Sequence, residues 1–160
     1  MSLLKFLITL YIGFIVCDKS STLSYYVEDV DAVLVAKACD SWLKDSIQIS
    51  RTLDRDKADL VIQTIAEPHM HTSGLLAENI GREINLNKNR IDKLNAIETQ
   101  NLIAHEFGHF LLKSHNDDKN SIMNPACPLR IRKVTKSDDR YTLYRLAILL
   151  RKVTNIFHKD

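Results

Sequence analysis

Val30, Val33, Leu34, Ala38 and Leu43 recur at helical spacing, with Cys39 and Trp42 beside the same stripe, and predict the first helix of the domain. Apolar and polar positions then alternate through Ile47–Arg51, as a half-buried strand requires. Leu60–Ile65 (LVIQTI) reads as a more deeply buried strand, because Val and Ile suit the crowded surface of a sheet. Pro68, Ser73 and Gly74 mark a loop over 67–74. Gly74, Leu75, Leu76 and Ala77 follow as an edge segment, 83–86 (EINL) as a further short strand, and 87–95 as a polar, turn-like stretch. At Asn95 the period becomes helical. Asn95 with Glu98 three residues on is the spacing of a capping box, which starts a helix at Ala96. Ile103, Phe107, Phe110 and Leu111 give that helix one apolar stripe, and Tyr141, Tyr144, Ile148 and Leu149 predict the inner face of a last helix over about 137–157. Helix, strand, strand, edge, strand and then helices is an α+β order.

Composition limits what this pattern can be. A chain of 160 residues, 45% apolar and 26% charged, can bury one core, and 4 Gly and 3 Pro leave no material for a linker-rich or repetitive protein. A net charge of +2 is too weak to imply nucleic acid as the main partner, and none is expected. The basic residues after Cys127, among them Arg130, Arg132 and Lys133, read as the solvated face of the last helix or as a patch for an anionic partner. At the other end, Lys5 precedes an apolar run over 6–16 that is shorter than the ~20 residues needed to span a bilayer and right for a signal peptide. Asp18, Lys19, Ser20 and Ser21 end it. Residues 1–17 are therefore expected to direct export, and 24–160 to form a single domain. Two fates stay open: cleavage near Cys17, or lipidation of Cys17, whose surroundings resemble a bacterial lipoprotein signal. The product would be secreted, periplasmic or a cell-envelope lipoprotein, with membrane attachment through the Cys17 lipid or an uncleaved N-terminal segment. Cys39 and Cys127 then remain, as a disulfide or as two buried thiols.

Candidate chemistry is concentrated in the capped helix. His105-Glu106-Phe107-Gly108-His109 is the H-E-x-x-H pattern, which chance would place in a chain of this composition about 0.01 times. One helical turn brings two imidazoles onto one face, where both can reach a metal at about 2.0–2.1 Å. The carboxylate after the first histidine then lies close enough to accept a proton from water. A catalytic zinc needs a third protein ligand. No glutamate follows Glu106, and His115 lies ten residues after His105. On a continuous helix His115 would point roughly 80° away and sit too far along the axis, so the chain must leave the helix after His109 and turn back through the polar run 113–118. Asp117 and Asp118 are reserve ligands. His69 and His71 could form a weak second metal pair, or stand as solvated or substrate-lining side chains.

His105, Glu106, His109 and His115, with Ser121-Ile122-Met123-Asn124-Pro125 after them, resemble the metzincin signature, most closely that of the matrixin-like metalloproteases. Met123 stands eight residues after the third histidine, where that family has its Met-turn, and Leu112 takes the place of the family's helix-ending glycine. Residues 58–62 resemble the strand after the first helix, 74–77 the substrate-binding edge strand, and 134–139 the start of the final helix. The resemblance implies a zincin-like α+β domain, with a small twisted sheet packed on a long active-site helix and a C-terminal helix. It implies one catalytic Zn2+ held by His105, His109 and His115, with Glu106 as general base and Met123 as a structural floor. It also implies an extended peptide or protein substrate beside Leu75, Leu76 and Ala77, and a monomeric endopeptidase. The alternative is a zinc-containing binding or inhibitor protein on the same fold, against which the presence of Glu106 argues.

Overall fold

The computed structural model describes residues 21–42, 47–111 and 114–125. The expectations for the export segment with Cys17, for Leu112, for Cys127 and for the last helix lie outside the described residues. Leu23, Tyr25 and Val27 are buried and alternate with Ser24, Tyr26 and Glu28, and this period of two builds a strand ahead of the first helix, β1 (Ser21–Glu28). A turn at Asp29, with φ at 55°, leads into α1 (Ala32–Asp40), whose N-cap Asp31 accepts the Val33 amide at 2.8 Å. β2 (Ile47–Arg51) follows and pairs parallel to β1, so β1, α1 and β2 form a crossover unit.

β3 (Leu60–Ile65) pairs parallel to the other side of β1. A single 3-10 turn, Glu67–His69, sits in the expected loop. β4 (Ala77–Ile80) and β5 (Glu83–Asn87) make an antiparallel hairpin, and β5 pairs parallel to β3. The spatial order is β2-β1-β3-β5-β4. The sheet is therefore mixed and mostly parallel. The α+β order read from the sequence lacked β1, which turns the first helix into a crossover between parallel strands.

The edge segment also shifts. Gly74 turns the chain with φ at 88°, Leu75 and Leu76 precede the strand, and of the four residues expected there only Ala77 belongs to β4. The Leu76 and Leu75 carbonyls accept from the Asn87 amide (2.9 Å) and its side-chain Nδ2 (3.2 Å), and Ala77 is buried opposite Leu86. The stretch after β5 holds one helical turn, α2 (Lys88–Ile91).

α3 (Ala96–Phe110) begins where expected, and its capping box is complete. Asn95 Oδ1 accepts from the Ile97 and Glu98 amides at 3.0 and 3.1 Å, and Glu98 Oε2 accepts from the Asn95 amide at 2.9 Å. α1 and α3 touch each other and share one apolar core with Leu23, Tyr25, Leu60, Ile62, Ile84 and Leu86 from the sheet. On the opposite face, Glu28, Gln63, Asn85 and Glu78 stand in register across four strands. Gln63 donates to Asn85 at 2.9 Å, and Arg55 joins Gln63, Glu28 and Glu83. This polar row ends at Glu78, beside the site described next.

Candidate metal centre

α3 carries His105 and His109 one turn apart and then stops. Leu111, at φ −85° and ψ 17°, donates its amide to both the Phe107 and Gly108 carbonyls at 3.0 Å, tightening the last turn. The chain beyond has no regular structure over 114–118 and returns His115 to the helix. The Nε2 atoms of His105, His109 and His115 form a triangle with all three sides 3.1 Å. His105 is buried, His109 half-buried and His115 exposed, so the triangle opens to solvent on the His115 side.

His105 Nδ1 lies 2.7 Å from the Ile122 carbonyl and donates to it. That bond places the proton on Nδ1 and leaves the Nε2 lone pair facing the other two rings, the arrangement in which metal-binding imidazoles are held. Nitrogens at about 2.0–2.1 Å from one tetrahedral ion are about 3.3 Å apart, close to the separation seen. The donor set therefore fits zinc: three imidazole nitrogens, with room for a fourth partner on the open side. Among the described residues this is the one group of three or more potential ligands, and it takes in His115, not Asp117 or Asp118.

A short turn supports the triad from below. Ser121, Ile122 and Met123 are fully buried. Ser121 Oγ accepts from the Met123 amide and from Asn116 Nδ2, both at 2.9 Å, and the Asn116 amide donates to the Met123 carbonyl at 3.2 Å. The turn thus holds His105 through the Ile122 carbonyl and holds the neighbour of His115 through Asn116. Met123 is fully buried and packs towards Gly108 of α3. The close approach depends on Gly108, where an added Cβ would lie 2.3 Å from Met123 Sδ and 2.6 Å from Trp42 Cζ2. A glycine inside a helix costs about 1 kcal/mol relative to alanine, and that expense was the readable sign of a close contact here.

Glu106 is 7% exposed, and its carboxyl is pushed up from 4.5 to about 7 by burial and then by the negative charge of Glu78. Glu78 moves the other way. Burial opposes its ionisation, but hydrogen bonds from the His71 amide, the His71 ring, the Thr72 amide and Asn85 outweigh that, and its carboxyl stays below the usual range. The His71 amide is 3.1 Å from each Glu78 oxygen, the ring Nδ1 is 3.1 Å from one, and the Thr72 amide is 3.3 Å from the other. Sequence reasoning missed Glu78, since nothing local ties a strand carboxylate to a loop histidine seven residues earlier. His71 is accounted for by that pair, His69 is exposed, and neither joins a group of three ligands among the described residues. Cys39 is buried with no cysteine partner among the described residues, and burial, then the Asp40 charge, push its thiol up to about 12.

No protein-family model matches the chain, and no curated protein matches it by sequence. Among solved structures it is similar to archaemetzincin of Methanopyrus kandleri, at 13% identity over 86% of this chain and 98% of that one, with a TM-score of 0.44. A likeness of that degree carries no argument about activity, which has to rest on the residues themselves.

Two outcomes follow from this geometry. Gly108→Ala inserts a methyl group between Met123 and Trp42 and should lower stability by about 1–3 kcal/mol. Unchanged thermal unfolding would contradict the packing. Glu106, with its raised carboxyl, favours the folded state while protonated, so its contribution is present below pH 4.5 and is lost as pH rises towards about 7. In the metal-free protein, Glu106→Gln should therefore gain stability relative to wild type between pH 4.5 and 8. Urea unfolding that shows a pH-independent difference would contradict that environment.

Proposed function

We propose that the chain is a zinc-dependent endopeptidase of the metzincin type, exported by its N-terminal segment. The observation that carries this reading is the convergence of three histidine Nε2 atoms on one point, with a buried carboxylate next in sequence to the innermost of them. His105, His109 and His115 would hold the ion, which when bound supplies a Lewis acid for a peptide carbonyl and lowers the pKa of water.

The protein's own groups do the rest. Glu106 accepts a proton from the attacking water and delivers it to the leaving amine, a task for which a carboxyl held near neutrality is suited. The Ile122 carbonyl keeps the His105 ring in one tautomer and orientation. β4, the terminal strand of the sheet and in contact with α3, offers the edge along which an extended peptide would pair. The residues after Met123 would shape the pocket for a substrate side chain. The matrixin-like spacing of His115 and Met123 supports this assignment over other zinc peptidase types.

Zinc content and hydrolysis of casein or a fluorogenic peptide, with and without a chelator, test the reading. Glu106→Gln should keep one zinc per chain and lose at least about 100-fold in turnover, the usual worth of a positioned general base. His115→Ala should lose most zinc affinity. Undiminished turnover in the first variant would sink the proton-transfer role, and unchanged affinity in the second would move the third ligand to Asp117 or Asp118. A wild type that holds zinc but cleaves nothing would be a binding protein.

A further inference from the structure

Trp42 is the chain's single tryptophan, is 5% exposed and lies just past the end of α1. A buried indole needs a partner for its N–H, and Trp42 finds one inside another helix: Nε1 donates at 2.7 Å to the carbonyl of Ala104. Ala104 is the residue before His105. The six-membered ring of the indole reaches α3 again one turn later, at Gly108, where Cζ2 and Cη2 lie 2.6 and 3.1 Å from the position a Cβ would take. Gly108 is the residue before His109. The same side chain therefore grips the helix immediately ahead of both helical ligands. From the turn, Met123 Sδ approaches the same point over Gly108 to 2.3 Å, and its neighbour Ile122 holds His105.

We propose that Trp42 is a positioning residue for the metal centre, setting the distance between α3 and the 121–124 turn so that the three imidazoles are aligned before an ion arrives. The inference rests on the metal site described above and extends it to a residue that touches neither ion nor substrate. Its hydrogen bond to Ala104 fixes where the indole sits along α3. Its ring fills the space that glycine leaves, and with Met123 it leaves α3 one depth at which to lie against the turn. A shift of α3 in that contact would move His105 Nε2 away from His115 while leaving the strand pairing of the sheet intact.

The test uses the full chain and reads the metal directly. Zinc affinity is measured by chelator competition, and ligand geometry by the visible absorption of the cobalt-substituted protein. The variants are Trp42→Phe, which keeps an aromatic filler and drops the donor, Trp42→Leu, which drops both, and Leu23→Ala, a core truncation on β1. Groups that orient metal ligands are worth about 10–100-fold in affinity, so Trp42→Phe should weaken zinc binding about 10-fold and Trp42→Leu more, with an altered cobalt band in each. Leu23→Ala should lower stability and leave affinity and band unchanged. Wild-type affinity and spectrum in both Trp42 variants would overturn the proposal. So would an equal loss in Leu23→Ala, which would reduce the effect to general destabilisation. A wild type that binds no zinc would overturn the metal centre itself along with this role, whereas a null result confined to the variants overturns only the role of Trp42.

Discussion

The 2.7 Å hydrogen bond from His105 Nδ1 to the Ile122 carbonyl joins the innermost histidine of the site to a turn 17 residues further along the chain. For that bond to form, a helix must lie against a turn at nearly backbone-to-backbone distance, and a side chain at position 108 would prevent it. Gly108 removes the obstacle, and Met123 and Trp42 close on the space it leaves. Other features of the site follow from this contact. With the turn fixed under α3, the Asn116 amide can reach the Met123 carbonyl, and His115 is returned to the 3.1 Å triangle from a segment without regular structure. The third histidine is held by the turn, since the helix that carries the first two has already ended.

Charge is distributed around this contact with similar economy. Glu106 and Glu78 are two buried carboxylates, the first of which feels the charge of the second, and their surroundings push their titrations in opposite directions. Glu78 collects two loop amides and an imidazole and stays ionised, whereas Glu106, buried and facing that negative charge, is held near neutrality. A carboxyl suited to exchange protons at ordinary pH arises from its neighbours, because glutamate as such titrates far lower. The polar row of Glu28, Gln63, Asn85 and Glu78 carries the order of the sheet to the edge of the site. Its exposed pairs with Arg55 add little to stability.

The parts of the molecule that were legible in the sequence are those set by local spacing. Asn95 and Glu98 fix the start of α3 through bonds within four residues, and His105 and His109 share a face because of the helical period alone. Leu60–Ile65 declares a buried strand by its composition. β1 was legible as well, in the alternation of Leu23, Tyr25 and Val27 with Ser24, Tyr26 and Glu28, yet the helical stripe that follows it obscured the strand and with it the mostly parallel sheet. Leu75 and Leu76 look like strand by propensity. The conformation at Gly74 and the reach of Asn87 move the strand start to Ala77. What no local pattern contains is the meeting of Trp42, Gly108 and Met123, or of Glu78 with His71, because these contacts exist only once the chain has folded. Gly108, a glycine within a buried helix, was the one trace of them in the sequence.

The central claim is that a turn and a glycine-lined helix face hold three imidazoles as one metal site. X-ray absorption at the zinc edge of the loaded full-length protein tests it most directly. The account predicts one zinc with three imidazole nitrogens at about 2.0–2.1 Å and one light-atom ligand completing four-coordination. Two imidazoles with carboxylate oxygens in place of the third, or no defined first shell, would contradict it.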